Sequence, residues 1–142
     1  MQPEGNLLTM MTKKNKDLLR GIWMFINLPK EEKKKEFIVT KGGEGYLAVF
    51  EIVQWNMFEE KLNDLPIVDK NARLLRRHFL GSAENVETNE DASMVISDAL
   101  YYFAGGQEGK SVTAYGVEEC QNRNINIMHC IEEYAKYILI CE

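Results

Sequence analysis

The chain has 142 residues, a formal net charge of −5 and an apolar content of 45%, values that are ordinary for one globular domain. Six Phe, six Tyr and two Trp exclude a largely disordered chain, which would hold fewer aromatic residues. The negative net charge argues against a general nucleic-acid binder, because such a protein needs a broad basic surface. We expect a single domain over residues 1–142, with residues 1–6 loose.

The charge is unevenly distributed along the chain. Residues 1–40 hold eight Lys or Arg and five acids, a net of +3, whereas residues 83–142 hold three bases and eleven acids, a net of −8. Such a split bears on partners and on encounter rates rather than on fold. The two basic clusters are residues 33–35 and the set Arg73, Arg76 and Arg77.

No segment has the pattern of a membrane span or an export signal. The apolar run at residues 22–26 is about a quarter of the length that a spanning helix needs. Residues 1–12 lack a basic start followed by an apolar stretch. The three cysteines are odd in number and too widely spaced for a structural zinc site. We therefore expect a cytoplasmic protein with reduced thiols, without a metal and without a cofactor.

The first third of the chain predicts helices. Residues 15–28 carry apolar side chains at helical spacing, and Pro29 ends that helix or opens a short one over residues 30–39. The unbroken stretch 46–62 favours a helix by its length. A small β-hairpin near residues 36–53 is the alternative that this region leaves open.

Two further helices follow in the middle of the chain. Asp69 is a suitable cap for a helix that runs to Leu80, and the polar residues 82–90 are typical of a loop. The next helix ends at Ala104 and is followed by a loop over residues 105–110.

The last segment predicts another helix. Its buried stripe is formed by Ile127, Met128, Ile131, Tyr134, Ala135 and Ile138. The fold expected from the whole pattern is mainly α: a single-domain bundle of about five or six helices, with room for one small β-hairpin near residues 36–53. Trp23 and Trp55 are expected to be core residues.

Arg123 and Asn124 are followed by four residues and then by His129. This arrangement resembles the Arg-Asn-x4–6-His signature of HEPN-family ribonucleases, which are small all-helical bundles. The resemblance covers these seven residues and the helical character. It implies that Arg123 stabilises phosphate charge, that His129 is an acid or base in RNA cleavage, and that Asn124 is their polar companion.

Acidic residues flank this segment on both sides, and they would repel RNA. They are candidate binding residues for a protein partner with a basic surface: Glu118, Glu119, Glu132 and Glu133. We predict a non-enzymatic binding or regulatory protein, such as an inhibitor of viral or mobile-element origin, for which nucleic acid is not expected as a partner. The alternatives are a HEPN-like ribonuclease that uses Arg123 and His129, and a self-associating structural subunit.

Overall fold

Within residues 24–106 and 111–141, which the computed structural model describes, the chain is a mixed α/β structure and not the predicted helical bundle. Its strands are β1 (Met24–Asn27), β2 (Glu36–Lys41), β3 (Leu47–Glu51), β4 (Glu84–Glu87), β5 (Ser93–Ile96), β6 (Val112–Gly116) and β7 (Tyr137–Cys141). Its helices are a 3-10 helix at Lys30–Glu32, α1 (Ile52–Asn63), α2 (Lys70–Ser82), α3 (Asp98–Phe103), α4 (Val117–Asn122) and α5 (His129–Glu132).

The described strands pair antiparallel in two sheets. Five of them form a sheet in the order β4-β2-β3-β7-β6, and β1 pairs with β5 in a second sheet of two strands. The centre of the larger sheet joins β3 from the first half of the chain to β7 from the second. Both sheets therefore depend on pairing between distant parts of the sequence.

The two halves of the chain repeat one order of elements, although the sequence shows no internal repeat. β1, the 3-10 helix, β2 and β3 correspond to β5, α3, β6 and β7. The pairs β2–β3 and β6–β7 are both antiparallel neighbours. A short turn joins β2 to β3, whereas α4 and α5 lie between β6 and β7.

Both faces of the larger sheet are buried. One face packs against β1, β5 and α3, in a core that includes Phe37, Val39, Val49, Leu139, Met94 and Leu100. The other face packs against α1, α2, α4 and α5, in a core that includes Ile38, Phe50, Phe58, Phe79, Cys120 and Ile131. The molecule thus has three layers, and the sheet is the middle one.

Burial on two faces explains why the strands were predicted as helices. Residues 47–50 are all buried, so their sequence shows an unbroken apolar run instead of the alternation of a half-exposed strand. Such a run cannot be distinguished from a buried helix by periodicity. The single helix predicted over 46–62 is wrong at its start, where β3 precedes α1. β2 and β3 occupy the region of the hairpin alternative near 36–53, as parts of a larger sheet.

The same error affects the two helices predicted before that stretch. β1 replaces the end of the helix predicted over 15–28, and residues 15–23 lie outside the described part of the chain, as does Trp23. The helix predicted over 30–39 is a 3-10 turn followed by β2. β1 pairs with β5 and β2 pairs with β3, and this pairing gives both segments their strand conformation, because tertiary contacts override a weak local preference.

Later in the chain, one predicted helix is confirmed and three predictions are wrong. α2 is capped as predicted, because the Asp69 side chain accepts a hydrogen bond from the Asn71 N–H at 2.9 Å. The loop predicted over 82–90 contains β4, and the helix predicted to end at Ala104 is divided into β5 and α3. The last predicted helix, around 127–138, is divided into α5 and the start of β7.

Phe58 of α1 is the centre of an aromatic cluster that joins the helical layer to the sheet. Its ring centroid lies 5.1 Å from that of Phe50 on β3, 5.7 Å from Trp55, 5.2 Å from Phe79 of α2 and 5.7 Å from Tyr134. Trp55 is buried, as predicted. Within the described ranges, no helix combines the length and apolar character that crossing a bilayer requires.

We expect Phe58→Ala to lower the free energy of unfolding by about 3–5 kcal/mol, because it removes a fully buried ring from four aromatic neighbours. Urea unfolding followed by circular dichroism measures the change. Val53→Ala is the matched control, since this side chain lies on the same helix and is 68% exposed. Equal stability of the two variants would contradict the packing described here.

Candidate functional site

The connection from β1 to β2 presents a group of lysines to solvent. We call residues 30–35 the lysine loop. Its first turn is the 3-10 helix, closed by a 2.9 Å hydrogen bond from the Glu32 N–H to the Pro29 carbonyl. Lys34 has a φ of +55°, in the left-handed region that residues other than glycine seldom adopt. The exposed lysines are Lys30, Lys33, Lys34 and Lys35.

Glu32 holds this loop to the sheet, although it belongs to a run of charged residues. Its carboxylate is fully buried. One oxygen, Oε1, accepts a hydrogen bond from Lys35 Nζ at 3.0 Å. The other, Oε2, lies 2.6 Å from Lys136 Nζ and accepts a 2.5 Å hydrogen bond from the Tyr137 hydroxyl. The first turn of the loop is therefore tied to the beginning of β7, more than a hundred residues away.

The protonation states of this cluster are fixed near neutral pH. Burial acts to raise the pKa of Glu32, but hydrogen bonds from Lys136, Tyr137 and Lys35 outweigh it and lower the pKa from 4.5 to about 2. Burial and the neighbouring Glu32 raise the pKa of Tyr137, which keeps its hydroxyl a donor. Burial acts to lower the pKa of Lys136, but its contacts with Glu32 and Glu51 raise it on balance.

A second set of hydrogen bonds fixes the backbone of the lysine loop. The buried hydroxyl of Thr88 donates to the Glu32 carbonyl at 2.5 Å and accepts from the Lys35 N–H at 2.9 Å. The Thr88 N–H donates to the Lys35 carbonyl at 2.9 Å, and the Lys34 N–H donates to the Asn89 carbonyl at 3.2 Å. These hydrogen bonds join the backbone of the lysine loop to the residues that follow β4.

These features make the lysine loop a candidate site. A buried ion pair recovers little net stability, because removing two charges from water costs about as much as their attraction returns. A left-handed lysine adds backbone strain, and such strain is concentrated at functional positions. A loop that exists only to connect two strands requires neither. The arrangement instead holds the backbone that carries the exposed lysines, which suits the binding of an anionic partner.

α2 carries the second cationic surface. Lys70, Arg73 and Arg77 are exposed at spacings of three and four residues, so they share one side of the helix; we call them the basic helix face. The Arg73 guanidinium donates to the Ile67 carbonyl at 2.9 Å. Arg76 donates to carbonyls at the end of α1 and after it, at 3.2 and 3.0 Å. Arg73 and Arg76 therefore stabilise the turn between α1 and α2.

The residues of the HEPN-like pattern lie between β6 and β7. Arg123 follows α4, where its Nε lies 3.3 Å from Glu119 Oε2 and its guanidinium lies 5.0 Å from the ring centroid of Tyr115. Asn124 comes next, with a φ of +58°. His129 begins α5 with an 86% exposed side chain, 3.6 Å from a Glu132 carboxylate oxygen. Arg123 and His129 thus each lie beside an acid of their own short helix.

The four candidate glutamates lie on the same connection. Glu118 and Glu119 are exposed on α4, and Glu133 is exposed just after α5. Glu132 is partly buried and accepts a 3.2 Å hydrogen bond from Gln121, which links the two helices. A binding role for these glutamates stays a prediction. Among the residues that the structure describes, no group of three His, Cys, Asp or Glu side chains is placed to hold a metal ion.

Sequence reasoning identified residues 33–35 as a basic cluster but missed the residues that position them. Glu32 carries no sign in the sequence that it is buried while its neighbour Glu31 is exposed. Its partners Lys136 and Tyr137 come to it only through the pairing of β7 with β3. The available signal for this strand was the apolar run that begins at Tyr137. Its second residue, Ile138, was counted in the buried stripe of the last predicted helix.

Comparison with known proteins identifies relatives of one kind. The chain is 33% identical over 88 residues to "Transcriptional regulator MraZ" of Clostridium acetobutylicum, an alignment that covers 62% of this chain and 61% of the relative. Proteins of the same name from Thermus thermophilus and Caldicellulosiruptor bescii are both 35% identical, over 79 and 88 residues. These alignments cover 56% and 62% of this chain, and 55% and 60% of the relatives. No family model matches the chain.

The chain therefore spans about three-fifths of the length of the curated relatives that it matches. Their names contradict the predicted protein-binding inhibitor with an acidic surface and the HEPN-like ribonuclease. The expectation that nucleic acid is not a partner is also wrong, because the relatives are named for regulating transcription. That expectation rested on net charge, which does not describe a local arrangement such as the lysine loop.

We expect Glu32→Gln to lower the free energy of unfolding at neutral pH by about 3 kcal/mol, because it removes the buried carboxylate whose pKa its hydrogen-bond donors lower from 4.5 to about 2. The stabilisation from Glu32 is present above its unfolded pKa of 4.5 and is lost as the pH falls towards the folded value of about 2. The two proteins should therefore converge in acid.

Urea unfolding at neutral pH and at several acidic pH values measures this difference. Glu31→Gln is the control, since Glu31 lies beside Glu32 in the sequence but is exposed. A difference between wild type and Glu32→Gln that stayed constant with pH, or a loss as large in Glu31→Gln, would contradict the role assigned to the buried carboxylate.

Proposed function

We propose that this chain is a DNA-binding regulator of transcription whose lysine loop contacts the phosphate backbone. The observation that carries the proposal is a set of exposed lysines on a hydrogen-bonded loop, anchored by a buried carboxylate, in a chain similar to proteins named transcriptional regulators. DNA is the anionic polymer on which such a regulator acts.

Lysine side chains suit this task by their chemistry. Lys30, Lys33 and Lys34 each place a flexible ammonium group in solvent, and such groups neutralise phosphates and release their counterions. Phosphate contacts position a protein on the duplex without reading its sequence. A loop whose backbone is already fixed loses less conformational entropy on binding than a flexible one.

The charge asymmetry of the chain supports the same proposal. Residues 1–40 have a net charge of +3, and the lysine loop lies at the end of this segment. Residues 83–142 have a net charge of −8, so positive charge is concentrated in the part of the sequence that ends with the lysine loop. We propose a cytoplasmic location as well, since the curated relatives are bacterial and DNA lies in that compartment.

We expect the double variant Lys33→Ala, Lys34→Ala to bind a mixed-sequence duplex at least about tenfold more weakly than wild type at low salt. Removing two phosphate contacts should also reduce the slope of log affinity against log salt by about two. Fluorescence anisotropy with a labelled duplex, at about 50 to 200 mM salt, measures both quantities.

The matched comparison is Lys70→Ala with Arg77→Ala, which removes two charges from the basic helix face. We expect this variant to keep most of the affinity and the slope. If it were the weaker binder of the two, the contact would belong to α2 and not to the lysine loop. Absence of binding by wild type at low salt would overturn the proposed function itself.

A further inference from the structure

Acidic side chains lie directly beside the lysine loop. The turn from β4 to β5 carries Glu87, Glu90 and Asp91, which we call the acidic turn. The Glu90 carboxylate lies 4.0 Å from Lys34 Nζ. Glu87 is the register partner of Glu36, the residue that follows the lysine loop. Negative charge is thus held next to the ammonium groups that would meet phosphate.

The acidic turn is held in this position by its own hydrogen bonds. The Asn89 N–H donates to the Ser93 carbonyl at 2.8 Å, and the Asp91 carboxylate accepts from both the N–H and the hydroxyl of Ser93. Ala92 is buried with a φ of +65°, a strained conformation that the turn nevertheless keeps. Because the Asn89 carbonyl also accepts from Lys34, the turn and the loop form one unit.

The positive charges of the lysine loop are nearly matched by negative charges in the same unit. Residues 30–36 hold four lysines and three glutamates, and one of these, Glu32, is buried and paired with Lys35 and Lys136. The acidic turn adds three negative charges. A phosphate that approached Lys34 would have to replace Glu90, and it would meet the field of Glu87.

We propose that the acidic turn limits the affinity of the lysine loop for DNA phosphate, because Glu90 competes for Lys34 and the nearby charge of Glu87 strengthens the local negative field. This inference rests on the proposed DNA binding. The competition lowers the affinity for every duplex whose phosphate meets Lys34 by the same factor, because the cost of displacing the carboxylate is paid in each complex.

The test uses the double variant Glu87→Gln, Glu90→Gln in the full chain. Glu90 is 86% exposed, and Asp91 is left in place because it supports the turn. The control is Glu44→Gln with Glu60→Gln, which removes the same charge from exposed positions in the turn between β2 and β3 and on α1. Anisotropy with the mixed-sequence duplex should give an affinity about three- to tenfold above wild type for the first variant, and less than about twofold for the control.

The gain should shrink at higher salt, because both carboxylates are exposed and their field is screened. The gain in affinity should also largely disappear when Lys34→Ala is added. This comparison is a double-mutant cycle, which isolates the competition for the Lys34 side chain. Equal gains in the test and control variants, or a gain that survives Lys34→Ala, would overturn the inference while leaving DNA binding intact. Absence of binding by wild type and by all variants would overturn both.

Discussion

The buried carboxylate of Glu32 is the constraint on which the arrangement of the lysine loop depends. Its two oxygens meet Lys35, Lys136 and Tyr137, and its backbone carbonyl accepts a hydrogen bond from Thr88. Segments from the start, the middle and the end of the chain therefore converge on one residue. An unpaired charge at this depth would cost several kcal/mol, so none of these partners can leave without changing the protonation or the position of the carboxylate. The shape of the loop follows from that requirement.

The buried sheet supplies the other half of the constraint. Tyr137 reaches Glu32 because β7 is fixed in register between β3 and β6. This register is determined on both faces, since a slip by one residue would exchange the residues of the two cores. The aromatic cluster around Phe58 covers one face, and β1, β5 and α3 cover the other. The energy that holds the polar cluster in place is thus mainly apolar burial elsewhere in the sheet.

Sequence reasoning succeeded where local chemistry decides the structure. The cap at Asp69 and the polar side of α2 could be predicted, because both depend on neighbours within one helix turn. It failed for β3 and β7, whose apolar runs have no period, and whose strand character comes from partners far along the chain. The basic cluster at residues 33–35 was visible, but its anchor was not. Glu31 and Glu32 are identical in type, and only the fold buries the second.

The two corresponding halves of the fold show why the lysine loop occurs in only one of them. In the second half, the corresponding connection is α3, which buries Leu100 and Tyr101 against the sheet; residues 97–106 hold neither Lys nor Arg. In the first half, the connection is too short for an apolar helix, and it covers the sheet with Glu32 instead. A buried carboxylate needs cations beside it, and the lysines that follow it include one of them. The buried charge and the exposed lysines thus lie in one short connection, and Lys35 belongs to both, because it is exposed in part and still pairs with Glu32.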